Sequence, residues 1–190
     1  MDFMLLFVSA VLVNNFVLVR FLGVCPFLGV SRKIESAMGM GLAVIFVTTI
    51  AAAVCYMANR FILIPLDLEY LSLIVFILVI AALVQGIEMF IKKASPSLYS
   101  ALGVFLPLIT TNCAIVGVVL MNTQESYSFM QSVIHALGAS AGFFVAIVIF
   151  AGIRERMERC DIPKVFQGVP IGIVAAGLMS MAFLGFTGMI

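Results

Sequence analysis

The sequence predicts an all-α integral membrane protein: six transmembrane helices forming two inverted three-helix repeats, with the first and fourth helices broken. Three observations lead there. The 190 residues are 64% hydrophobic and only 10% charged, whereas a soluble domain is about 45–50% apolar and about 25% charged. The mean hydropathy is +1.28. The apolar residues fall into six runs near the length of about 20 that a spanning helix needs. Two of these runs are interrupted by helix breakers beside a cysteine. The connections are short, so one polytopic domain covers 1–190, with repeat 1 at about 1–93 and repeat 2 at about 94–190.

The first run, about Phe3 to Leu22, is read as a retained span. Met1-Asp2-Phe3 lacks the basic segment of a cleavable signal. The run continues into Leu22-Gly23-Val24-Cys25-Pro26-Phe27-Leu28-Gly29. Gly23 and Gly29 accept non-helical backbone, and Pro26 removes a donor and disfavours α geometry at Cys25. The second run, Ala37 to Met57, carries no charge, and the third, about Leu68 to Ile91, has Glu69 and Glu88 near its ends. The fourth, about Leu98 to Met121, holds the second irregular stretch, Pro107-Leu108-Ile109-Thr110-Thr111-Asn112-Cys113. The fifth, about Ser132 to Ile153, has the single histidine, His135, near its start, and the sixth is about Phe166 to Met189. Phe7 to Asn15 lies over Phe105 to Cys113 at an offset of 98, and Gly39 over Gly138 at 99. In that alignment Cys113 lies over Asn15, not over Cys25. Three spans per repeat insert the second half upside down, an arrangement that places sites near the bilayer midplane.

Nine of the ten Lys and Arg residues lie by the odd-numbered connections, and only Arg60 lies by an even one. The positive-inside bias therefore puts the odd connections in the cytoplasm and both termini outside a multi-pass cytoplasmic (inner) membrane. Net charge is +1, which excludes a nucleic-acid partner. With no Trp, the interfacial belt facing membrane lipid falls to Tyr and Phe. Gly39, Gly41, Gly138 and Gly142 suit close helix approach and carry no chemistry.

The four cysteines, Cys25, Cys55, Cys113 and Cys160, form no C-x-x-C pair, which excludes a zinc knuckle or a self-contained ferredoxin motif. Cys55 sits at an uninterrupted helix end and reads as a buried hydrophobe. Cys160 reads as a surface thiol in a basic connection. Cys25 and Cys113 each accompany a helix break, so a ligand role stands level with ordinary burial. Asn14, Asn15, Thr110, Thr111 and Asn112 flank the breaks. They either line a cofactor or ion path or patch freed backbone. Glu88 is either an intramembrane functional group or the partner of Lys92 one helical turn on. His135 reads as an interface residue rather than a ligand, and Arg20 as a snorkelling side chain.

Val13 to Ser31 (V-N-N-F-V-L-V-R-F-L-G-V-C-P-F-L-G-V-S) and Ala101 to Val118 (A-L-G-V-F-L-P-L-I-T-T-N-C-A-I-V-G-V) resemble the membrane subunits of two related systems. One is the Rnf ferredoxin–NAD electron-transport complex, the other the sodium-pumping NADH–quinone reductase. The likeness runs on through Ala151 to Met157 and Gly177 to Gly188, and Asn14-Asn15 favours the Rnf branch in its A-type form. The resemblance implies six helices in an inverted repeat and a homologous partner subunit of opposite topology. It implies one [2Fe–2S] cluster between the two, with Cys25 and Cys113 as this chain's iron ligands. It also implies electron relay from ferredoxin to NAD coupled to Na⁺ or H⁺ translocation, with flavin and iron–sulfur subunits as further partners. The chain would then be one component of an oxidoreductase translocase and not catalytic alone, with no catalytic residue of its own. Two cysteines are half of a Cys₄ set. An anionic cluster needs compensation, and backbone N–H groups at the helix breaks are the available source.

Two other function classes fit the broken inverted repeat: a small secondary transporter binding a solute at the breaks, and a structural scaffold for other redox subunits.

Overall fold

Three helices are long and apolar enough to cross a membrane, Ile34–Leu63, Ser72–Met89 and Phe129–Met157, and Val169–Leu184 is a shorter apolar helix. The computed structural model describes residues 3–13, 15–65, 69–94, 106–160, 163 and 166–185, and every regular element among them is helical. In chain order these are α1 (Phe3–Val8), α2 (Val24–Val30), α3 (Ile34–Ala58), α4 (Ser72–Ala94), α5 (Leu106–Thr110), α6 (Cys113–Gln124), α7 (Phe129–Met157) and α8 (Val169–Leu184). α1 and α3 widen into π-helical ends at Ser9–Val13 and Asn59–Leu63, and a 3₁₀ turn, Glu69–Leu71, leads into α4.

The second and fifth apolar runs become helices with longer ends, α3 and α7, whereas α4 begins later than expected, at Ser72, and α8, Val169–Leu184, is shorter than the run from Phe166 to Met189. α7 starts before Ser132 because Gln131 Oε1 accepts the Ser128 N–H at 3.0 Å, closing a capping box. α8 begins with Pro170 in its first turn, where a missing donor costs nothing.

The first break differs from the sequence expectation, in which regular helix runs to about Leu22 and breaks at Cys25. Instead the helix ends at Val13, and Cys25 to Gly29 are helical. Asn15 accounts for the early stop: its Nδ2 donates to Gly142 O at 2.9 Å and its Oδ1 accepts the Val17 N–H at 3.2 Å. Residues 15–23 then turn irregularly, with Phe21 at φ +55 and Gly23 at φ +82. Pro26 falls in the first turn of α2, a position where proline starts a helix rather than breaking one. The second break is short, Thr111-Asn112 between α5 and α6. The preceding part of that predicted span, up to Phe105, lies outside the described residues.

α3 and α7 form the most extensive helix pair. The Phe144 ring covers Gly41, where a Cβ would come within 2.3 Å of it. On another face of α7, Gly138 and Gly142 admit the backbone of the first segment; a Cβ at Gly142 would lie 2.9 Å from Val11 O. Small residues thus permit close approach without any role in chemistry. Phe27 of α2 stacks on Phe150 of α7 at 4.4 Å between centroids, inside a core that includes Val44, Ala51, Phe143 and Ile147.

Candidate functional site

Both break cysteines sit in the first turn of a helix, Cys25 in α2 and Cys113 in α6. The Gly23 amide donates to Cys113 Sγ at 3.0 Å. Gly23 stands two residues before Cys25, so this bond packs the two broken segments together. Both thiols are exposed on the chain's surface. Among the described residues no group of three His, Cys, Asp or Glu comes together. The two exposed thiols are soft sulfur donors of the type an iron–sulfur site uses, and two are half of a Cys₄ set.

The residues around the thiols are occupied with backbone. Asn112 caps α6, its Oδ1 accepting the Ala114 N–H at 3.0 Å, while its Nδ2 is buried without a partner. Thr111 Oγ1 donates to Pro107 O at 2.9 Å, which repairs the end of α5. Asn15 is spent on Gly142 and Val17, as above. Thr110 is half-buried at the end of α5, and Glu88 is half-buried on α4, which packs on α5 and α6. Asn14 lies outside the described residues. The α6 terminus is capped from within by Asn112, and the donor to sulfur comes from the other break.

One supporting residue was not singled out by the sequence. Arg154, buried on α7, donates from Nη1 to Leu28 O at 2.6 Å and to Ser31 Oγ at 2.9 Å. Its guanidinium carbon lies 5.9 Å from the Phe150 ring centroid. It thereby holds the C-terminal end of α2, where orphan carbonyls and a partial negative charge favour a cation. The signal was available: it is the first arginine after an uncharged apolar helix face. Ser180 Oγ of α8 similarly donates to Leu18 O inside the first break.

The remaining candidates lie elsewhere. Cys55 is fully buried in the core, and Cys160 is exposed, its Sγ 3.7 Å from Arg156 O. His135 is buried within the protein, in the second turn of α7. Its Nδ1 pairs with Asn122 Oδ1 at 2.6 Å, and Asn122 Nδ2 donates to Ser132 O. Beside this pair is a cavity of about 650 Å³ lined by Tyr56, Asn59, Arg60, Asn122, Tyr127 and Ser132 among others. Neither break cysteine lines it.

Comparison with known proteins places the chain in a family. The family described as "Rnf-Nqr subunit, membrane protein" matches residues 3–190. The chain is 58% identical over 189 residues to the A-type component of the Na(+)-translocating ferredoxin:NAD(+) oxidoreductase complex of Acetobacterium woodii, covering 100% of this chain and 98% of that one. It is 57% identical, with the same coverage, to the A-type components of the ion-translocating oxidoreductase complexes of Photorhabdus laumondii and Aeromonas salmonicida. Matched almost from end to end, the chain belongs to the Rnf-Nqr family of membrane subunits.

Proposed function

We propose that the chain is the A-type component of an ion-translocating ferredoxin–NAD oxidoreductase complex, with Cys25 and Cys113 holding half of an intramembrane [2Fe–2S] cluster. Two cysteines of a homologous membrane subunit of opposite topology complete the set. The observation that carries this is the Gly23 amide on Cys113 Sγ, which joins the two breaks and leaves both thiols on an open face. When bound, the cluster supplies a one-electron carrier within the membrane. The chain's own residues do the rest. Cys25 and Cys113 present thiolates, Gly23 donates to one of them, Asn112 fixes the start of α6, and Arg154 anchors the far end of α2. Six spans, with α1 and α2 as one broken span and α5 and α6 as the other, set both breaks at membrane depth. Flavin and iron–sulfur subunits complete the path from ferredoxin to NAD, and electron flow drives Na⁺ or H⁺ outward.

The test is iron content and the reduced-state EPR signal of the purified complex carrying single Cys→Ser substitutions. Cys25→Ser and Cys113→Ser each lose or strongly perturb one signal, since oxygen is a poor replacement for soft thiolate. Cys55→Ser and Cys160→Ser retain it. Full occupancy in Cys113→Ser sinks the shared-cluster assignment. An iron-free complex that binds a solute favours a transporter, although neither break cysteine lines the cavity beside Asn122.

A further inference from the structure

We infer that Gly23 is a positioning residue that sets the reduction potential of the cluster, by holding its amide on Cys113 Sγ. The inference rests on the cluster assignment above and extends it to a residue that is not a ligand.

The bond is imposed by the backbone rather than left to chance. Gly23 sits at φ +82, a left-handed conformation that side-chain-bearing residues rarely adopt. The space is also closed. A Cβ there would lie 3.0 Å from Ala114 Cβ, 3.1 Å from Asn112 Oδ1 and 3.3 Å from the Phe143 ring. Both conditions require glycine, and the second arises largely from the segment that carries Cys113. Asn112 and Ala114 are themselves locked together by the α6 cap. On either side of Gly23, the Leu22 N–H bonds to Phe16 O at 3.0 Å and the Phe27 N–H to Gly23 O at 3.3 Å. The peptide units on both sides of the Gly23 amide are thus held by hydrogen bonds, which favours its place on the sulfur.

The consequence for a ligand sulfur is electrostatic. An N–H donor draws electron density from a thiolate, and the bond strengthens as negative charge accumulates. A reduced cluster carries one more negative charge than an oxidised one, so the donor stabilises the reduced form and raises the potential. Among the described residues no such bond to Cys25 Sγ is seen.

The experiment is an EPR-monitored redox titration of the purified complex with dithionite, following the signal that Cys113→Ser removes. Two variants are compared with the parent. Gly23→Ala forces a side chain into the closed space. Ala114→Val pushes on Gly23 from the opposite wall without changing its backbone demand, so it serves if Gly23→Ala does not assemble. The expected result is a downward shift of the midpoint potential with iron retained. Complex labelled with [¹⁵N]glycine should also show a ¹⁵N coupling on that signal that weakens in Ala114→Val, which keeps the labelled Gly23. An unchanged potential in an iron-retaining variant overturns the inference while leaving the cluster in place. If neither variant keeps iron, absence of a ¹⁵N coupling in the parent overturns it. If the parent has no such signal at all, it is the cluster assignment that fails.

Discussion

Arg154 reaches from α7 to α2 and ties together residues more than a hundred positions apart in sequence. A charged donor to a carbonyl contributes about 1.5–3 kcal/mol, and leaving the acceptor buried and unpaired is itself destabilising. Arg154→Leu removes the bonds to Leu28 O and Ser31 Oγ together. It is expected to destabilise the protein by on the order of 3 kcal/mol and to loosen α2; with the cluster proposed above in place, its iron is then lost more readily to a chelator. Thermal unfolding in detergent and chelator-dependent iron release measure the two effects, and an unchanged release rate removes Arg154 from the support of Cys25. Arg154→Lys recovers part of the effect: lysine keeps the charge but not the planar fork.

At the scale of elements, α7 takes two neighbours at unusually short range because glycine lets it. Gly142→Val places side-chain atoms against Val11 O and disturbs the carbonyl that Asn15 uses. The expected cost is about 3 kcal/mol, at the high end for overpacking, and the measurement is yield and thermal stability of the assembled complex. Gly152→Ala, with open space at the Cβ position, is the matched control with little effect. The same elements mark how far the sequence can be read. The uncharged run of α3 and the long run of α7 announce their helices within a few residues, since length and apolarity decide a span. Glycines and proline locate the first break and so place it too late. Asn15 ends the helix through a carbonyl 127 residues away, and no local pattern records that contact. The cysteines at the breaks are legible, while the Gly23 donor and the Arg154 anchor are long-range and are not.

For the molecule as a whole, the split of basic residues predicts that both ends face outward and that the stretch from Arg154 to Lys164 is cytoplasmic. The exposed thiol of Cys160 lies in that stretch and offers a direct probe. In intact inverted and right-side-out vesicles, a membrane-impermeant maleimide is expected to label Cys160 only from the cytoplasmic face. A reporter joined after Ile190 is expected to work only as an external-side reporter. Labelling of Cys160 from the outer face reverses the orientation. It would also move Arg60 and the cavity beside it to the inner side.

The span between bonded partners has a consequence for biogenesis. In the first break and the helix after it, Asn15 waits for Gly142, Leu18 for Ser180 and Leu28 for Arg154, while Gly23 waits for Cys113, 90 residues later. At about 5–20 residues per second of synthesis, the first broken segment leaves the ribosome on the order of 5–20 s before the Gly23 amide can find its sulfur. Through that interval the nascent chain sits in the bilayer with these polar groups unmatched. Its early half is thus a client for the insertion machinery, and the joined breaks that the proposed cluster needs exist only after delivery of the second half.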